Sequence, residues 1–171
     1  MKNSLILVFL FILLSCKEES KQPLRFADVD TSSNEIIHLT DGEDIYYSME
    51  DLLAMHEGKV VYVHFWNSFT SKDKMRSVEL LEKKYADKDF VILNIGTDTA
   101  MMPFEMHLEI TTLENNYLAR NFEQAAFFKE REFYVIPRYM LYDKQGNLLD
   151  DNAMSPDNPD LDTTLQTLLD Q

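Results

Sequence analysis

The chain has 171 residues, enough for one compact domain and too few for two of ordinary size. Hydrophobic residues make up 45% of it, with 11 Phe, 8 Tyr and 9 Met, so it carries core-forming material and is not a disordered chain. Its 30 acidic residues outnumber 16 basic ones, for a formal net charge of −14. Phosphate backbones and anionic headgroups are repelled by such a surface. Nucleic acid is therefore excluded as a partner, and membrane association requires a covalent or inserted anchor.

Met1-Lys2-Asn3 carries a positive charge, and Leu5 through Leu14 is an unbroken apolar run. As a helix that run would span about 15 Å, roughly half a hydrocarbon core, which is a signal-peptide length rather than a membrane span. It ends in Leu13-Leu14-Ser15-Cys16, which resembles the lipobox of bacterial lipoproteins. The resemblance implies cleavage before Cys16, acylation of its sulfur and amine (palmitate among the expected chains), and a place in the cell envelope on the periplasmic face or the cell surface. The plainer alternative is an ordinary secretory signal with a chance cysteine. Cys16 is the sole cysteine of the chain. Once acylated it leaves no thiol for a disulfide, a nucleophile or a thiolate metal site. Residues 1–15 thus read as signal peptide and 16–23 as lipidated cysteine and tether. Lys17-Glu18-Glu19 also resembles a Bacteroidetes surface-export signal, although a solvated tether explains it equally well. Residues 24–171 read as one domain.

Leu24 to Leu39 is expected to open the domain as a hairpin around Thr31-Ser32-Ser33-Asn34, and Met49 to His56 suits a short helix. Gly58 then introduces Val60-Val61-Tyr62-Val63-His64-Phe65-Trp66, a run without polar alternation, as in a strand buried on both faces. Thr70 to Lys84 predicts a helix with Met75, Val78, Leu81 and Tyr85 on one face, and Phe90 to Ile95 a second buried strand. Strand, helix and strand make a parallel βαβ unit. Further helical pieces are expected at Met102–Leu113 and Phe122–Lys129, with an extended stretch at Asn116–Leu118. After Pro137, Arg138–Tyr142 predicts a strand, Asp143–Asn147 a tight turn and Leu148-Leu149 the returning strand. Asn158-Pro159 starts a last helix, with Leu161, Leu165, Leu168 and Leu169 as its buried stripe. The class is α/β, a mixed central sheet with helices on both faces.

Gly58 to Lys74 resembles the strand and active-site turn G-K-V-V-L-V-x-F-W-A-S-W-C-x-x-C of membrane-anchored bacterial thioredoxin-like proteins, the group of cytochrome-maturation disulfide reductases and redoxins. Val135 to Gly146 resembles their cis-proline segment and hairpin, so the resemblance covers residues 24 to 171 and implies a thioredoxin-like fold. Laid on that pattern, the nucleophilic cysteine falls on Thr70 and the resolving one on Asp73. The family's reaction needs a low-pKa thiolate and a mixed disulfide, which neither a threonine hydroxyl nor a carboxylate provides. Thr70-Ser71-Lys72-Asp73 reads instead as a capping box with Thr70 at the N-cap. The resemblance further implies a groove lined by Trp66, Phe69, Thr70, Ile136 and Pro137, in which the Ile136 backbone pairs with an extended peptide. The alternative is that Pro137 merely begins an edge strand.

Glu105-Met106-His107-Leu108-Glu109 offers metal donors, but on a helix positions 105 and 107 point about 200° apart, so no metal site is expected. The four isolated glycines, Gly42, Gly58, Gly96 and Gly146, cannot build a phosphate-cradling loop, and no cofactor is expected. His64 is expected to be a hydrogen-bonded, partly buried strand residue rather than a ligand. The functional expectation is a lipid-anchored, redox-inactive binding or accessory module for an envelope protein or peptide. The alternative by resemblance is a thiol-disulfide oxidoreductase or an accessory subunit of one.

Overall fold

The structure, a computed structural model, describes residues 24–25, 37–43 and 45–171. The signal stretch, Cys16, the tether and most of the expected opening hairpin lie outside the described residues. The elements in chain order are β1 (Leu24–Arg25), β2 (Leu39–Thr40), β3 (Ile45–Tyr46), α1 (Met49–Met55), β4 (Val60–Trp66), α2 (Lys72–Lys84), β5 (Phe90–Gly96), α3 (Met101–Leu108), β6 (Asn116–Ala119), α4 (Ala126–Glu130), β7 (Arg138–Tyr142), β8 (Leu148–Asp150) and α5 (Pro159–Leu169). A six-stranded sheet has the order β2-β6-β5-β4-β7-β8. β4 is parallel to β5 and β5 to β6, whereas β7 runs antiparallel to β4, and β8 to β7.

β4 and β5 are the two central strands, and every one of their residues is buried. That explains why neither shows polar alternation: helices cover both faces, so both side-chain rows need apolar surroundings. Val61, Val63, Phe65, Val91, Leu93 and Ile95 face one core with Phe128, Met140 and Tyr142. Val60, Tyr62, Phe90 and Ile92 face the other, where Val78 and Leu81 of α2 meet Leu161 and Leu165 of α5. Leu168 and Leu169 pack partly buried against that second core, as the stripe on α5 predicts.

Several ends differ from the sequence expectation, each for a local reason. α2 begins at Lys72, and its N-cap is Ser71, whose hydroxyl accepts from the Lys74 N–H; Thr70 is not the cap. The Thr70 hydroxyl is already engaged by the Asn67 N–H in the preceding turn. The true capping box lies at α1, where Ser48 and Asp51 exchange side chain to backbone bonds. α3 ends at Leu108 instead of running to Leu113, because Glu79 of α2 draws Thr111 and Thr112 aside as hydrogen-bond donors. α4 starts only at Ala126, since Asn121 first closes a turn through the N–H groups of Gln124 and Ala125.

Gly96 closes β5 directly under Trp66. A Cβ there would stand 3.2 Å from Trp66 Cζ2 and 3.4 Å from Leu118 Cδ1. Trp66 and Leu118 are themselves packed against Phe104 and have little room to retreat. Gly96→Ala should therefore lower unfolding stability by about 1–3 kcal/mol in a urea titration, the usual cost of overpacking. Wild-type stability in that variant would mean the Trp66 ring is free to move.

Candidate functional site

The β4 to α2 connection is the turn on which the resemblance places the redox chemistry. Trp66 is followed by Asn67-Ser68-Phe69-Thr70, and the Thr70 N–H donates to the Asn67 carbonyl at 2.9 Å. Side chains lock the same turn a second time. Thr70 Oγ1 accepts from the Asn67 N–H at 3.1 Å, and Asn67 Oδ1 accepts from the Phe69 N–H at 3.1 Å. Asp98, just past β5, takes both the N–H and the hydroxyl of Ser68 at 2.8 Å. The Phe69 ring in this turn is 93% exposed. Thr70 has no histidine or carboxylate among its hydrogen-bond partners in the described residues, so its hydroxyl has no base to activate it. Asp73 is exposed in the first turn of α2, where a carboxylate suits the helix dipole.

The second wall comes from the loop before β7. β7 pairs with β4 through Phe65↔Arg138, so this register carries Pro137 and Ile136 to the end of β4 where the Asn67–Thr70 turn begins. The Ile136–Pro137 peptide bond is cis, as the resemblance implies. Arg138 holds the loop from beneath. Its guanidinium donates to the carbonyls of Arg131, Glu132 and Asp151 and lies 4.4 Å from the Phe133 ring centroid. Phe133 packs edge-on against Phe65 and Phe128, and Ile136 packs against the same core. Tyr134 and Val135, between those two anchors, are 82% and 70% exposed. Among the described residues the backbone N–H and carbonyl of Ile136 make no hydrogen bond. The sequence reading missed Tyr134 and Val135, although an exposed aromatic and a β-branched residue directly before an Ile-Pro pair are a signal for an extended binding segment.

Trp66 does not line this groove. It is 3% exposed, shares a core with Phe104 and Leu118, and its ring lies 4.2 Å from that of His107. The cause is register: Trp66 stands on the same β4 face as Tyr62 and His64, and α3 covers that end of the face. The surface left for a ligand is therefore formed by Phe69, Thr70, Ile136 and Pro137, with Tyr134 and Val135 added.

Beneath the turn runs a buried polar row. The β4–β5 register pairs His64 with Asn94, and the β5–β6 register pairs Asn94 with Asn116. Asn94 Nδ2 donates to Asn116 Oδ1 at 2.6 Å and to His107 Nε2 at 3.0 Å. Its Oδ1 then accepts from His64 Nδ1 at 2.8 Å, which fixes the His64 tautomer and leaves Nε2 as a lone pair. That Nε2, the Trp66 Nε1 and the Tyr139 hydroxyl are buried without a hydrogen-bond partner among the described residues. Tyr139 stacks on His64 at a ring distance of 5.3 Å. Burial drives the His64 pKa down to about 4, and His107 is lowered for the same reason, so both rings are neutral at pH 7. On α3, Glu105 and Glu109 point to solvent while His107 points inward, so the donors of that segment do not converge. A cavity of about 700 Å³ lies at the opposite end of β4 and β5, lined by residues such as Lys59, Lys88, Phe90 and Glu114.

No family model and no curated protein matches the chain in sequence. Solved structures do match. A Bacteroides vulgatus protein assigned as a thiol-disulfide oxidoreductase superposes with a TM-score of 0.64 at 27% identity, over 77% of this chain and 91% of that one. The chain has a thioredoxin-like fold. The thioredoxin domain of a second B. vulgatus thiol-disulfide oxidoreductase gives a TM-score of 0.61 at 20% identity, over 82% and 99% of the two chains. A Chlorobium tepidum protein assigned as the thiol:disulfide interchange protein DsbE gives 0.60 at 17%, over 80% and 96%. The thioredoxin-like frame thus accounts for the sheet, the turn after β4 and the proline loop before β7. Thr70 and Asp73 lie at the start of α2 on that frame, and Cys16, the chain's one cysteine, is outside the described residues.

Proposed function

We propose that the chain is a lipid-anchored envelope protein that holds an extended polypeptide in the groove between the Asn67–Thr70 turn and the Tyr134–Pro137 loop, without thiol chemistry of its own. The observation that carries this reading is the Ile136 backbone, without a hydrogen-bond partner among the described residues and flanked by exposed Phe69, Tyr134 and Val135. Free backbone groups beside apolar side chains are what strand addition requires: the main chain supplies the pairing and the side chains the anchoring. Its structural neighbours are thiol-disulfide oxidoreductases, which supports the narrower form of the proposal, in which the bound polypeptide is passed to or received from a partner that brings the thiols.

The absence of chemistry is tested on the purified mature protein. It should reduce neither insulin nor glutathione disulfide and should take up no thiol-alkylating reagent, because a dithiol cannot be made from Thr70 and Asp73. Thr70→Cys with Asp73→Cys should restore an oxidisable pair and measurable insulin reduction, since the two positions straddle the start of α2. A double variant that never oxidises would show that the turn is misplaced on the redox pattern.

Anchoring is tested separately. Cys16→Ser should release the protein from membranes and leave an uncleaved precursor, and an acyl analogue fed to cells should label wild type only. Equal labelling of both would remove the lipid anchor from the proposal.

A further inference from the structure

α3 has two unlike faces. Phe104 and His107 turn inward, onto Trp66, Leu118 and Asn94, and fill the core-facing side. Met102 and Met106, four residues apart on α3, are 65% and 61% exposed, and Ile110 in the turn that follows the helix is 77% exposed and extends the same apolar row. The stripe is thus surplus to the fold's own core. Methionine is unbranched and adapts its shape to a partner, which makes a Met-rich face a better docking surface than a rigid one.

The charged residues nearest the stripe in sequence have one sign. Between Lys88 and Arg120 the sequence has no Lys or Arg, and its charged residues there are Asp89, Asp98, Glu105, Glu109 and Glu114. Glu105 on α3 and Glu109 at its C-cap are exposed. Glu79 of α2 reaches the same rim, accepting from Thr111 and Thr112 beside Ile110. Arg76 and Lys83 of α2 line the cavity beyond Glu79, with Thr112 and Glu114.

We propose that the Met102–Met106–Ile110 face docks an amphipathic segment of another protein whose apolar residues are flanked by Lys and Arg. Charge complementarity selects this occupant. A second copy on a two-fold axis would set Glu105 and Glu109 against the same carboxylates, because such an interface pairs a patch with itself. An anionic lipid surface would meet the same repulsion. The surface is independent of the groove, since none of its residues belongs to the turn or the proline loop.

The test uses the full chain carrying Cys16→Ser and, as probe, a synthetic helical peptide of Leu and Lys in amphipathic order, followed by fluorescence anisotropy. Wild type should bind. Met102→Ser with Met106→Ser and Ile110→Ser should weaken binding at least tenfold at unchanged charge. Glu105→Gln with Glu109→Gln should weaken it several-fold and flatten its salt dependence, and a Leu/Glu peptide of the same pattern should not bind. All the changed residues are exposed, and circular dichroism checks that the variants stay folded. No binding to wild type, or equal affinity for wild type and both variants, overturns the proposal. So does a concentration-dependent dimer that the triple variant abolishes, which would make a second copy the occupant. Binding to anionic vesicles that the triple variant abolishes would make it a lipid surface.

Discussion

Lowering the pH from 7 to 4 should remove about 3 kcal/mol of folding stability through His64 alone. The unfolded ring titrates near 6.5 and the folded one near 4, because burial opposes the charge more strongly than the Asn94 hydrogen bond favours it. A depressed folded pKa means the unfolded chain takes up the proton first. The stability is therefore fully present above pH 6.5 and is lost as the pH falls toward 4. Each unit between the two values is worth about 1.4 kcal/mol, and His64 is wholly buried, so solvent screening does not reduce the effect. His107, lowered in the same direction, adds to the loss. Glu82, whose pKa burial raises, opposes it, whereas Asp157, held near 2 chiefly by the Lys74 hydrogen bond, titrates below this window. His64→Gln isolates the effect, since it keeps a donor for Asn94 but does not titrate. Urea unfolding at pH 7 and pH 4 should show the advantage of wild type over the variant shrinking by about that amount. Parallel pH profiles would mean that His64 is protonated in the folded state or reaches water.

The sequence foretold the frame of this molecule where the signal is local. The unbroken run of β4, the Asn158-Pro159 start of α5 and the hairpin at Asp143–Gly146 each carry their cause within a few residues. The fate of Trp66 was not legible, because its burial depends on Phe104 and His107 of α3, which arrive some forty residues later. His64 and Asn94 look like two unrelated polar intrusions into apolar strands until the parallel register places them side by side. The cap of α2 moved from Thr70 to Ser71 for a similar reason: two hydroxyls in succession compete, and the Asn67 N–H decides which is free. Thr70, Ile136 and Pro137 were readable through the resemblance, whereas the exposure of Tyr134 and Val135 depends on how Arg138 props the loop.

Changes in the groove should have the other large effect. Phe69→Ala should weaken polypeptide binding at least tenfold, since covering a ring now 93% exposed is worth about 2–3 kcal/mol and aromatic anchors dominate such contacts. Ile136→Pro should do the same by removing the backbone N–H that would pair with the ligand strand. A folded Ile136→Pro variant of unchanged affinity would move the binding site elsewhere.

The most direct test is a chemical-shift map. The full chain with Cys16→Ser, labelled with nitrogen-15, is titrated with carboxymethylated insulin B chain, an extended apolar peptide that cannot exchange disulfides. Saturable shifts are expected at Ser68–Thr70 and Tyr134–Ile136, with the backbone amide of Ile136 moving as it gains a hydrogen-bond partner. Saturable shifts confined to other surfaces, or no shift at millimolar peptide, would contradict the proposed groove.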